Sequence, residues 1–117
     1  MEFSIDWHVP VIVLCFIIMD VVTGIAQAAK NKSLDSTKMR DGLFHKIGFM
    51  FAVVLAYLCE YSMNWLDLGY DIPMVGGVCA FICLTEIVSI LENIAMLTPE
   101  LSENTFLSYF NRGGKDA

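Results

Sequence analysis

The sequence predicts an all-α integral membrane protein with three transmembrane helices, and three observations carry that prediction. Apolar runs at 9–29, 43–65 and 72–97 each reach the length of about 20 residues that a helix needs to cross a hydrocarbon core. Of the 117 residues, 56% are hydrophobic, where a soluble domain carries roughly 45–50%. The cations are also sorted along the chain. Lys30, Lys32, Lys38, Arg40 and Lys46 lie between the first two runs or at the start of the second, and only Arg112 and Lys115 lie elsewhere. A chain of this size makes one unit, residues 1–117, with no room for a second soluble domain. No cleavable leader is expected, because the first six residues carry no Lys or Arg and no small-residue cleavage site follows.

The first span, 9–29, opens with Pro10, whose missing N–H is harmless in a first helical turn. The polar segment 30–41 then reads as a basic loop with room for a short surface helix. The second span, 43–65, ends at Trp65, and the short turn 66–71 carries Gly69 and two Asp residues as helix breakers. The third span, 72–97, stops at Thr98-Pro99. A short tail of mixed character, 100–117, closes the chain. The positive-inside rule places the basic loop in the cytoplasm, and three spans then leave the N-terminus outside and the C-terminus cytoplasmic. Trp7 and Trp65 fall at the outer ends of their spans, as an aromatic belt requires.

Polar residues interrupt these runs at helical spacing. Asp20, Thr23, Gly24 and Gln27 form one stripe on the first span, and Glu86, Ser89 and Asn93 form one on the third. A carboxylate near the bilayer centre costs several kcal/mol on insertion scales and normally faces a bundle interior or water. The plain reading of such stripes is a polar contact that only glues helices together. The sharper one is a hydrated seam, since Asp20 and Glu86 fall at similar depths on parallel helices. Lys46 pairs with Asp20 on charge but not on expected geometry. Asp20 lies roughly 13 Å below the cytoplasmic end of its span, and side chains lean toward the helix N-terminus, which draws the two apart. Asp20 is therefore expected to be protonated, hydrated or hydrogen-bonded rather than ion-paired, with His45 and Lys46 as interfacial anchors.

Gly48, Ala52 and Ala56 repeat at four-residue spacing on the second span, and Gly76 and Ala80 do so on the third. Small residues at this spacing let membrane helices approach closely. The four cysteines, Cys15, Cys59, Cys79 and Cys83, all sit in apolar runs and read as small hydrophobes. No metal-ligand spacing, catalytic constellation or phosphate loop is present, so no enzyme activity, metal or cofactor is expected. Five cations beside two spans are explained by topology, and no nucleic-acid partner is expected. Three spans can hardly enclose a solute path alone, so the expected partners are further copies of the chain and the lipid bilayer.

Asp20-Val21-Val22-Thr23-Gly24 at the end of a span, Lys30, Lys32 and Ser33 after it, Gly42 and Lys46 at the next, and Glu86 followed by Ser89-Ile90-Leu91-Glu92-Asn93 together resemble the holins of Gram-positive bacteria and their phages. The resemblance covers roughly residues 15–97. The chain departs from many of those proteins in having one clear span before the basic loop and a short tail. The resemblance implies a protein that accumulates in the bacterial cytoplasmic membrane, oligomerises, and opens lesions that release an endolysin or toxin. It implies an endolysin as a functional partner without required contact, and an antiholin as a possible regulator. Two other readings fit the residues: an antiholin that binds a pore-former, and a small proton or cation channel relaying through Asp20 and Glu86.

Overall fold

The computed structural model describes residues 3–100, which form three long helices and no strand. α1 spans His8–Lys30, α2 Ser36–Trp65 and α3 Met74–Leu97. The all-α, three-helix expectation holds for these residues. The expected tail beyond Glu100, with Arg112 and Lys115, lies outside the described residues.

Each helix end has an identifiable cause. Asp6 accepts a hydrogen bond from the His8 N–H at 3.1 Å and so starts α1. At its other end, the Ser33 N–H reaches the Ala28 carbonyl at 2.8 Å and the Lys32 N–H reaches Ala29 at 3.3 Å, the paired bonds of a Schellman stop. Lys32 occupies the left-handed position of that stop, at φ 55°. Three residues after Lys32, Asp35 caps α2, its carboxylate accepting from the Thr37 and Lys38 N–H groups at 2.9 and 3.3 Å. α2 therefore begins seven residues before the expected start at 43, and the helical part of the segment 30–41, from Ser36 onward, is continuous with α2 rather than a separate surface helix. In the second connection Gly69, at φ 82°, makes a turn whose N–H is accepted by Asp67. Pro73 cannot cap α3 with a side chain; instead Glu60 of α2 accepts the Val75 N–H at 2.7 Å.

α3 packs against both α1 and α2, and the other two helices flank it. The apolar core lies toward the 66–73 connection. It is built from Val13 and Ile17, Val53 and Ala56, and Val75, Cys79 and Ile82, with Ala56 and Ile82 only 1% exposed. Most other large apolar side chains face outward, including Phe51, Val54, Phe81 and Leu84. All three helices are long and apolar enough to cross a membrane. An outward face of this kind is suited to lipid tails, whereas in water so large an apolar surface drives association.

Candidate functional site

Toward the 31–35 turn the interior changes from apolar to charged. Lys46 of α2 reaches between α1 and α3, its ammonium 2.5 Å from Asp20 Oδ2 and 2.9 Å from Glu86 Oε2. Glu86 Oε1 lies 3.3 Å from the same nitrogen. The other Asp20 oxygen accepts from the Ser89 hydroxyl at 2.7 Å and the Asn93 amide at 2.9 Å. Asn93 also donates to Thr23 Oγ1 at 3.0 Å, and Thr23 turns its own hydroxyl back onto the Met19 carbonyl. Three helices thus contribute to one network. Among the described residues no buried polar side-chain atom lacks a partner.

The expectation that Asp20 would not pair with Lys46 is corrected. Its error was the start of α2. With that helix beginning at Ser36, Lys46 lies ten residues from the turn-side end of α2, and Asp20 lies ten residues from the corresponding end of α1. At 1.5 Å per residue both are about 15 Å along their helices, and the lysine's four-carbon stem closes the remaining gap. Lys46 is consequently an interior residue with a side chain 13% exposed, not an interfacial anchor. A signal for this was present in the sequence. Positions 46, 49, 53, 56 and 60 follow one inward helical stripe, and Lys46 heads it.

Two carboxylates share one ammonium here. Unless a carboxyl group holds a proton, the cluster carries one uncompensated negative charge, and the Ser89 and Asn93 donors spread it over Asp20. A cleft of about 500 Å3 leads to the cluster from the turn side; Asp20, Lys46, Ser89 and Asn93 line its floor, Asp35 and Lys38 its mouth. Water entering this cleft would meet the cluster from the turn end, while the cavity at the other end, beside Val13, Val53 and Tyr57, has an almost wholly apolar lining.

The remaining residues singled out from sequence fall in several places. Gln27 lines the cleft, but its side-chain oxygen and its backbone carbonyl both accept locally from the Asn31 amide, at 3.4 and 2.9 Å. Gly24 lies beside Asn93, where an added Cβ would sit 3.5 Å from the amide nitrogen, an ordinary contact. Ala56 is buried and Ala52 half-buried, whereas Gly48, Gly76 and Ala80 face out of the single chain. Of the basic residues, Lys30 donates to the Leu97 carbonyl at 2.8 Å, tying the ends of α1 and α3 together. Lys32, Lys38 and Arg40 are exposed around the turn. Glu60 as the cap of α3 was not anticipated.

The sequence profile of the bacteriophage holin family matches residues 3–104. The uncharacterized protein Lmo0128 of Listeria monocytogenes is 30% identical over 116 residues, which is 97% of this chain and 79% of that protein. The uncharacterized protein Lin0175 of Listeria innocua is 29% identical over the same shares. No solved structure matches the chain.

Proposed function

The chain belongs to the bacteriophage holin family, and from that premise we propose that it assembles with copies of itself in the bacterial cytoplasmic membrane and permeabilises it, releasing an endolysin or toxin in timed lysis. The observation that carries this reading is the charged network between three otherwise lipid-facing helices. Two carboxylates, a lysine, a serine and an asparagine hidden in so small a bundle are a costly way to join helices. They are an economical way to store polar surface that water later follows.

In the resting protomer Lys46 covers Asp20 and Glu86, and apolar side chains face lipid. Because α1 and α2 both lean on α3, movement of α2 away from α1 uncovers the seam without breaking the α1–α3 contact. Several protomers in that state would turn Asp20, Thr23, Glu86, Ser89 and Asn93 toward a common aqueous space. The cation asymmetry supports a cytoplasmic 31–35 turn, an outer N-terminus and a cytoplasmic C-terminus. A maleimide that cannot cross membranes should therefore leave Ser36→Cys unlabelled in intact cells before triggering, and labelling there would reverse the orientation.

Inducible expression in a bacterium, with and without a cytoplasmic endolysin, tests the activity. Abrupt, endolysin-dependent clearing of the culture together with loss of membrane potential is expected. Growth with an intact potential would point to an antiholin instead, and loss of potential without endolysin release to an ion channel.

A further inference from the structure

Two ionisable side chains stand on the outer surface beside large apolar ones, His45 one helical turn after the exposed Asp41. His45 is exposed between Phe44 (64% exposed) and Ile47 (47%), and its ring touches only Phe49 of its own helix, at 4.6 Å. Glu92 is the one polar member of an outward row at four-residue spacing, Leu84, Val88, Glu92 and Met96, whose apolar members are 50–63% exposed. Neither side chain has a hydrogen-bond or ion-pair partner among the described residues. His45 is one position from the inward Lys46, a rotation of about 100° around α2, and Glu92 is six positions from the buried Glu86. Both are thus turned away from the network that satisfies their neighbours.

We infer that His45 of one copy meets Glu92 of the next, with α2 of the first laid along α3 of the second. The inference rests on the proposed self-assembly and names its surface. Ionisable residues in membrane helices are tolerated where protein or water covers them, and within one copy no other side chain covers these two. Each supplies what the other lacks, an imidazole donor and a carboxylate acceptor. The choice of partner is narrow, because α1 and α3 together present one exposed acid, Glu92.

The geometry agrees. Copies inserted in one orientation set the start of α2 beside the end of α3. His45 lies nine residues into α2 and Glu92 five residues before the end of α3, an offset of about 6 Å along the axis. Side chains lean toward their own helix N-terminus, which on antiparallel helices brings this pair together. Gly48 follows three residues after His45, and a Cβ there would meet nothing within 4 Å, leaving room for a second backbone. The contact joins two different faces, so it repeats head to tail and builds a ring or an open array rather than a closed pair.

The test mixes two variants, His45→Glu and Glu92→Lys, and reads oligomers crosslinked in isolated membranes with permeabilisation followed in parallel. Alone, each variant should raise the monomer fraction about tenfold, since like or unpaired charges at an interface cost over 1.4 kcal/mol. Co-expressed, they should restore the ladder. An alternating array sets the introduced glutamate against the introduced lysine, and the native histidine against the native glutamate. Unchanged ladders from the single variants, or no restoration with both chains in the membrane, overturns the inference. If His45→Glu fails to insert, His45→Gln and Glu92→Gln replace the pair. A double variant no weaker than either single supports the contact, and additive losses overturn it. A ladder that responds as expected while the native chain permeabilises nothing would instead count against the lytic reading and leave the surface standing.

Discussion

Toward the 66–73 connection the bundle is held by Val13, Ile17, Val53, Ala56, Cys79 and Ile82; toward the 31–35 turn it is held by Asp20, Lys46, Glu86, Ser89 and Asn93. The first set packs by shape, so its energy changes gradually as helices shift. The second depends on a few short, charge-assisted bonds that are either made or lost. α2 is fixed at the turn end largely through one lysine, and elsewhere by apolar contact with α3 and the hydrogen bond from the Val75 N–H to Glu60. A bundle built this way can pivot about its apolar end once the charged end lets go. The difference separates what holds the helices together by shape from what, on the proposed reading, would decide when they part.

Breaking the charged end at its centre should have the largest effect. Lys46→Met leaves Asp20 and Glu86 facing each other without a counter-ion and should lower stability by about 3–5 kcal/mol, as loss of one partner of a buried ion pair does. At the apolar end Ile82→Val should cost only about 0.5–1.5 kcal/mol. Unfolding of the detergent-solubilised chain measures both, and equal losses would erase the distinction between the two ends. The triple variant Lys46→Met, Asp20→Leu, Glu86→Leu sharpens it further. An all-apolar replacement should recover stability while removing the polar surface that the proposed permeabilisation would use, so a stable triple variant that lyses on schedule would reduce the network to packing.

Asp20→Asn comes next. The amide keeps an acceptor for Ser89 and Asn93, and Lys46 retains Glu86, so the loss should be about 1–2 kcal/mol. Retained lysis would mean that polarity suffices in the open assembly. Lost lysis at normal abundance would mean that the charge is required.

The three helices and the polar stripes of α1 and α3 were legible in the sequence because hydropathy and helical spacing are local properties. Asp20, Glu86, Ser89 and Asn93 were therefore grouped by face and depth, and in the structure they meet around Lys46. Lys46 was not, because its place depended on where α2 begins, and hydropathy alone puts that start at the first apolar residue. The Asp35-Ser36-Thr37 cap was the signal that moves it. Glu60 was illegible for another reason: it caps a helix other than its own, a relation that appears only when α2 and α3 are set side by side.

Glu60→Ala probes that relation at the apolar end. The Val75 N–H would lose its acceptor, and loss of a cap costs about 1 kcal/mol. Faster amide exchange confined to the first turn of α3 is the expected outcome, with the charged end unaffected. Faster exchange at Lys46 or Asn93 would show that the two ends are coupled more tightly than a pivot allows.

The smallest effect is expected at Asp6, outside the spans. Hydrogen bonds from the His8 side chain and backbone hold its carboxyl below the ordinary value of 3.8. A depressed carboxylate supports the start of α1 above that ordinary value, and the support is lost as the pH falls through the lowered one. Protection of the His8 amide should thus stay flat from neutral pH down to about 4 and decline only in stronger acid. Asp6→Asn keeps an oxygen acceptor and should abolish the decline. Because Asp6 is exposed, the change should remain confined to the first turn of α1 and leave oligomer formation untouched. A pH response of the same shape at Ser89 or Asn93 would instead connect this end of α1 to the charged network, and would remove the independence of the two ends on which the pivot depends.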